Sequence, residues 1–360
     1  MEKEGSKSDK LILQGLEEIF SSTETMWEEL REKEIFLTGA TGFFGIWLLK
    51  SFIYANNKLN LNSKATVLTR DPESFQLQFP SISSDSSVKF HKGDIRDFKY
   101  IDKNFSHIIH GATTTATETF NRQDPLIKLD TVAGGTRNIL DFATQCNCKK
   151  FLLLSSGSVY GKQPSSVDHL SENYTGAPFT TDKNFEHSVL GESKRISELL
   201  TTIYSEKFAI ETKIARCFSF VGPYLPLNIH YAVGNFIRDS LKSKTINISG
   251  DGTPIRSYLY ITDLIIWLWT LLFEGKSCEI YNIGSEREIS MKKLAELVAK
   301  TSGKKIEIII NSPPDNVADR YLPSTTKAQT ELGVKQTVSL ESAIKKTVLH
   351  IEENSSFYNI

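Results

Sequence analysis

Seven residues near the start of the chain, Gly39-Ala40-Thr41-Gly42-Phe43-Phe44-Gly45, restrict its folding more than any other stretch. They follow a short apolar run, Ile35-Phe36-Leu37-Thr38, and open a helical segment through Trp47-Leu48-Leu49 to Phe52-Ile53. A strand that ends in glycines at this spacing and turns straight into a helix is the pattern of a βαβ unit that holds a dinucleotide. The first glycine permits the tight turn, the second lets backbone amides approach a pyrophosphate, and the third lets helix and strand pack closely. The anion then rests on the helix N-terminus, where unpaired N–H groups and aligned peptide dipoles favour negative charge. Gly39, Thr41, Gly42, Phe43, Phe44 and Gly45 are therefore the expected cofactor cradle.

The rest of the chain repeats the alternation that begins there. Apolar runs at Ala65–Thr69, Val88–Asp94, His107–His110 and Lys150–Ser155 are separated by helical stretches such as Gly135–Thr144. Short strands that are apolar on both faces and alternate with helices predict a parallel sheet covered on both sides, a doubly wound α/β (Rossmann) domain. We expect it over residues 34–225, preceded by a helical extension at 1–33, in which Ile12, Leu16, Ile19, Phe20, Met26, Trp27 and Leu30 recur at helical spacing, broken at Ser21-Ser22-Thr23. Residues 226–360 predict a smaller, mixed α/β substrate lobe, interleaved with the first domain. It contains helices near Val233–Leu241, Met291–Lys300 and Leu340–His350 and a strand at Ile306–Ile310. The long loop Gln163–Asn184 predicts a functional excursion beside a site.

Charge and cysteine content exclude several classes. Lysine plus arginine (42) nearly balance aspartate plus glutamate (43), so no global field recruits nucleic acid or an anionic membrane. Cys146, Cys148, Cys217 and Cys278 are too few and too badly spaced for a disulfide framework or a four-ligand zinc site, and no metal is expected. The most apolar run, Leu264–Phe273, has about half the residues that cross a bilayer. It predicts a buried helix capped by Thr262-Asp263. The N-terminus, charged on both sides, lacks the apolar stretch of a signal peptide, and a cytoplasmic protein is expected.

Cofactor type is read where the second strand ends, at Thr69-Arg70-Asp71-Pro72. An acid there suits a ribose 2′-hydroxyl, and an arginine accommodates the 2′-phosphate of NADP. Arg70 favours NADP, whereas Asp71 keeps NAD open. Asp94 and Ile95, after the third strand, are placed to meet adenine.

The ordered blocks extend further. They are Gly93-Asp94, His110-Gly111-Ala112-Thr113, Ser155-Ser156-Gly157-Ser158-Val159-Tyr160-Gly161, Gly191-Glu192-Ser193-Lys194-Arg195, Arg216–Pro223, Gly250–Tyr258 and Tyr281–Ser285. From Glu34 to about Lys346 the chain resembles the extended short-chain dehydrogenase/reductases, specifically nucleotide-sugar epimerases and dehydratases. The resemblance implies oxidation of a sugar carbon by hydride transfer to NAD(P), a nucleotide-diphosphate sugar as substrate, and a homodimer. It adds Ala112 and Thr113 to the cofactor contacts. It assigns Ser156 to the hydroxyl that holds the reacting oxygen, and Lys194 to the lysine that binds the nicotinamide ribose and lowers the pKa of a catalytic tyrosine.

That tyrosine position, four before Lys194, holds Leu190. His187 as an alternative base, or Tyr160 or Tyr174 swinging in, would restore proton transfer. The positions that serve the dehydratase branch as acid and base hold Gly157 and Ser158, neither a carboxylate. For the substrate, the resemblance implies Ser219 in place of an asparagine, Arg256 and Arg320 on the diphosphate, and Asn235, with Asn228 and His230, near the nucleotide pocket. Three readings stand: an epimerase/dehydratase-type enzyme, an NADPH-dependent ketosugar reductase suggested by Arg70, and a dinucleotide-binding pseudoenzyme or scaffold suggested by Leu190.

Overall fold

The computed structural model describes residues 6–114, 118, 124–181, 186–227, 231–313, 318–358 and 360. Seven parallel strands form the central sheet. Six of them are β1 (Glu34–Thr38), β2 (Lys64–Thr69), β3 (Val88–Lys92), β4 (His107–His110), β5 (Lys150–Ser156) and β6 (Glu211–Cys217). The seventh, β11 (Glu279–Ile283), comes from the last third of the chain and pairs with β6, giving the order β11-β6-β5-β4-β1-β2-β3. Strand order therefore reverses at β1, which has β2 on one side and β4 on the other. In open α/β sheets ligands bind at the carboxyl ends of strands beside such a switch point.

Helices α1 (Lys7–Thr23), α2 (Phe43–Leu59), α3 (Gly135–Gln145), α4 (Glu186–Phe208), α5 (Ala232–Lys242), α6 (Ile261–Glu274), α7 (Met291–Thr301) and α8 (Leu340–Glu353) complete the frame, with shorter helices between them. Helix α6 is apolar nearly all round and buried almost throughout, as expected of a helix enclosed on every side. Its start differs from the expectation. It begins at Ile261 without a side-chain cap, and Asp263 instead accepts hydrogen bonds from the Thr337 and Val338 amides and the Thr337 hydroxyl.

The N-terminal arm is part of the core. Helix α1 opens on a Ser6–Asp9 capping box and runs through Ser21-Ser22-Thr23, where a break is expected, before a 3₁₀ turn over Glu24–Leu30. The Thr23 hydroxyl bonds the Ile19 carbonyl and takes the Trp27 indole N–H, so the polar residues are satisfied within the helix. Ile12, Ile19, Trp27 and Leu30 are buried, and the Trp27 and Trp269 rings lie 4.6 Å apart.

Smaller strands build the lobe above the sheet. They are β7 (Phe220–Val221), β8 (Thr245–Ile248), β9 (Ile255–Ser257), β10 (Leu259–Tyr260), β12 (Glu288–Ser290), β13 (Glu307–Ile310) and β14 (Arg320–Tyr321). Strands β12, β9 and β14 form a three-stranded sheet in which Tyr321 stands opposite Arg256. The loop after β5 docks against β14. The Leu170 amide donates to the Leu322 carbonyl, and the Leu322 amide donates to Gln163 Oε1.

Candidate active site

The glycine loop sits at the switch point. Gly39 has φ +71°, a conformation that favours glycine, and a Cβ there would overlap the Gly111 backbone of the loop after β4. A Cβ on Gly45 would overlap the Ala40 backbone, so helix α2 can lie this close to its own loop only with glycine there. Gly42 differs. It is exposed, and a Cβ would meet nothing nearer than the Gly39 carbonyl oxygen at 3.5 Å. Gly42 is also the N-cap of α2, and no side chain caps that end. An open helix N-terminus with a bare, exposed glycine fits a pyrophosphate. Thr41, Phe43 and Phe44 line the same turn half-buried, Phe44 edge-on to Phe220 at 5.0 Å.

The nucleoside end departs from expectation. Arg70 makes a two-point ion pair with Glu118, at 2.8 and 3.3 Å, so a carboxylate fills the fork assigned to a 2′-phosphate. Asp71 caps a short helix by accepting from the Ser74 amide. Arg96 grips Asp94 through its backbone N–H at 3.0 Å and two guanidinium bonds at 2.9 Å, which hold the carboxyl below its usual range. Of the roughly four acceptor sites of a carboxylate, one is left for an adenine amine. The Ile95 side chain is buried against Gly135, and its carbonyl accepts from Asn138, so it belongs to the core. The Ala112 amide bonds the Thr38 hydroxyl, and Thr113 is exposed.

Below the cradle lies a buried polar network. His110 bridges the Thr38 hydroxyl at 2.7 Å and the Thr136 hydroxyl at 3.0 Å. Burial, with the Lys194 charge nearby, pushes its pKa down to about 3, so it stays neutral. Lys194, on α4, is itself buried and donates to the Leu154 carbonyl at 2.7 Å. Loss of hydration brings its ammonium down to about 8, although Cys217 and Glu198 oppose the shift. Glu198 accepts from Ser155 at 2.5 Å and pairs with Arg216 at 2.6 Å, and the Arg216 guanidinium covers the Tyr160 ring at 4.6 Å.

The reacting end is where β5 meets α4. Ser156 Oγ accepts from the Ser158 amide at 3.1 Å, which orients it. Leu190 is half-buried on α4. The tyrosines expected to replace it are occupied elsewhere. The Tyr160 hydroxyl is fixed on Asn282 at 2.8 Å, and Tyr174 packs against Tyr160 and Gly176. The His187 side chain, Asn228 and His230 lie outside the described residues.

Tyr321, beside the expected Arg320, enters the site from β14. Its hydroxyl lies 2.5 Å from the point a Cβ on Gly157 would occupy, and its ring packs at a tilt on Phe218, 4.6 Å between centroids. Burial pushes the phenol well up, while Ser156 and the Arg256 charge favour its ionised form. The only signal in the sequence is its alternation with Arg320 on a strand whose register cannot be read locally.

Of the substrate residues, Arg256 shares the Tyr321 face of the small sheet, its guanidinium 6.0 Å from the Tyr321 ring and paired with Asp319 at 2.5 Å. Arg320 does not join it. Neighbouring residues on a strand face opposite sides, and Arg320 pairs with Glu288 at 2.7 Å, leaving its buried Nε without a partner. The Ser219 carbonyl accepts from Leu259, and Asn235 accepts from Arg238 at 3.3 Å within α5. Among the described residues no cluster of His, Cys, Asp or Glu is placed to hold a metal, and no helix is long and apolar enough to cross a membrane.

The family model described as "NAD dependent epimerase/dehydratase family" matches residues 35–284. The chain belongs to this family. Within the NAD-dependent epimerases/dehydratases, UDP-glucuronic acid decarboxylase 6 of Arabidopsis thaliana is 28% identical over 319 residues, covering 86% of each chain. Two solved structures share the fold. One is a variant of UDP-glucuronic acid 4-epimerase from Bacillus cereus in complex with a fluorinated UDP-glucuronic acid and NAD. It has a TM-score of 0.76 at 23% identity, covering 89% of this chain and 99% of that one. The other, dTDP-glucose 4,6-dehydratase from Streptomyces venezuelae with NAD bound, has a TM-score of 0.75 at 22% identity, covering 90% and 98%.

Proposed function

We propose that this chain is an NAD-dependent enzyme that oxidises a ring carbinol of a nucleoside-diphosphate sugar and then reduces it again, an epimerase-type reaction. One juxtaposition carries the reading. The open glycine cradle lies after β1 at the switch point, and Ser156 lies two strands away, at the end of β5, with Lys194 buried beneath. When bound, a nicotinamide supplies the hydride acceptor. Gly39, Thr41, Gly42, Phe43, Phe44 and Gly45 would hold its pyrophosphate, with Ala112 and Thr113 beside them.

The Arg70–Glu118 pair supports NAD over NADP, because a 2′-phosphate would have to displace a carboxylate. It likewise weakens the case for an NADPH-dependent reductase. Ser156 would hold the reacting oxygen and Arg256 would bind the diphosphate, a role its planar fork suits. Gly157 and Ser158 supply no carboxylate to assist elimination, which favours a redox cycle without loss of water. A homodimer is supported by an apolar stripe. Ile196, Leu199 and Ile203 are exposed at helical spacing on α4, beside exposed Leu126 and Ile127.

The test is mass spectrometry of the cofactor retained on purification, followed by incubation with UDP-glucose, UDP-glucuronic acid and dTDP-glucose. Retained oxidised NAD with interconversion of one sugar is expected. The second reading, a binding protein without chemistry, is favoured by Leu190, and it prevails if sugars bind stoichiometrically and none is converted.

A further inference from the structure

We infer that Tyr321, presented from the C-terminal lobe by β14, is the hydroxyl that exchanges the proton with the reacting sugar oxygen, in the place left by Leu190. The inference rests on the redox reading above and adds the missing proton carrier to it.

The geometry singles out this phenol. It reaches the backbone of Gly157 and faces Ser156, the residue expected to hold the same oxygen. Gly157 makes this possible, because a Cβ there would be 2.5 Å from the phenol oxygen and 2.8 Å from the Phe218 ring. Tyr321 is also held in place. Phe218 packs on its ring, and its strand is clamped by the loop after β5 through Leu170 and Gln163. The Tyr160 hydroxyl, by contrast, is committed to Asn282, and Tyr174 packs against Gly176.

In the oxidation step, the sugar O–H bond breaks and a phenol O–H bond forms on the ionised fraction of Tyr321, small at neutral pH because burial holds the phenol well up. The carbon–hydrogen bond would break with both electrons leaving as hydride to a bound pyridine nucleotide, the oxidant, as a C=O bond forms. The return step reverses each transfer, and the phenol gives its proton back. Charges and polar groups facing the phenol are Arg256 on β9, Cys217 at the end of β6, Ser156 at the end of β5 and Tyr160 just beyond it. Arg256 and Ser156 favour tyrosinate; burial, Cys217 and Tyr160 oppose it. Activity therefore rises with pH toward the alkaline range.

Tyr321→Phe removes the hydroxyl alone. Relative to wild type, kcat falls about 100-fold or more, the usual worth of a general base, while KM and NAD affinity change less than about threefold. Adding Leu190→Tyr to that variant restores activity, with its rising limb at lower pH because the new phenol lies on α4 with Lys194. A Tyr321→Phe enzyme that keeps kcat within about threefold of wild type overturns the inference, as does a double variant that stays inactive while still binding NAD.

A second readout does not depend on turnover. With tyrosine labelled at Cζ, the resonance lost in Tyr321→Phe is followed at constant pH as NAD⁺ is added. If no sugar is converted by the wild type, the redox reading fails, and this binding shift alone decides whether Tyr321 faces the cofactor: an unmoved resonance on a protein that binds NAD refutes it, and a saturable shift upholds it.

Discussion

Replacing Gly42 by alanine separates the cofactor cradle from the fold that carries it. A Cβ at Gly42 meets only the Gly39 carbonyl oxygen, at 3.5 Å, an ordinary van der Waals contact, and φ is −90°, which alanine adopts without strain. Alanine is a poorer N-cap than glycine, so the cost to stability is under about 1 kcal/mol. The methyl group stands where the pyrophosphate approaches the first amides of α2. Losing one or two hydrogen bonds to a charged group costs about 1.5–3 kcal/mol. At about 1.4 kcal/mol per decade, NAD affinity falls roughly 10- to 100-fold. Gly45→Ala is the contrasting control. Its Cβ overlaps the Ala40 backbone, so α2 must move off the loop. Overpacking of this kind costs about 1–3 kcal/mol and lowers Tm as well as affinity. Isothermal titration with NAD and thermal unfolding of both variants read the two effects. A Gly42→Ala protein that binds NAD as wild type does would refute the cradle, and equal Tm losses in the two variants would refute the distinction between the two glycines.

Lys194→Met tests the buried ammonium. Its pKa drops from 10.5 unfolded to about 8 folded, so between those values the unfolded chain binds more protons and wild-type stability rises with pH. The variant loses that rise, giving a flatter denaturant midpoint over this window; an unchanged slope would show that Lys194 is hydrated. Glu198→Ala leaves Arg216 buried without its partner and Ser155 without its acceptor. Unfolding by denaturant then shows a loss of about 3–5 kcal/mol, and a loss under about 1 kcal/mol would mean that solvent reaches the pair. Leu199→Glu puts a charge in the exposed stripe of α4, so a dimer detected by sedimentation becomes a monomer with Tm little changed; a dimer that persists places the interface elsewhere.

The fold was legible because its signals are local. The apolar run Ile35–Thr38, the glycines that follow it and the amphipathic stretch beyond are contiguous, and their spacing alone specifies strand, turn and helix. What the sequence hid lies in pairs distant along the chain. Arg70 invites a phosphate until Glu118, 48 residues on, closes its fork, and Arg256 is likewise engaged by Asp319, 63 residues away. Arg320 and Arg256 read as a pair, yet the register that places Tyr321 opposite Arg256 turns Arg320 to the other face. The helix start at Ile261 was misplaced for a related reason: Asp263 resembles a cap but bonds residues 337 and 338.

The arm at the front of the chain has a consequence for folding. Ser8 on α1 bonds His350 and Glu353 on α8, more than 340 positions later. Contacts of such long sequence separation form late, since the intervening chain must already be closed up before they contribute. Helix α1 also packs on α2 and α6, both earlier in the chain than α8, so it can dock there first and gain its α8 contacts last. The seam between α1 and α8 is then the last part of the arm to close and the first to open.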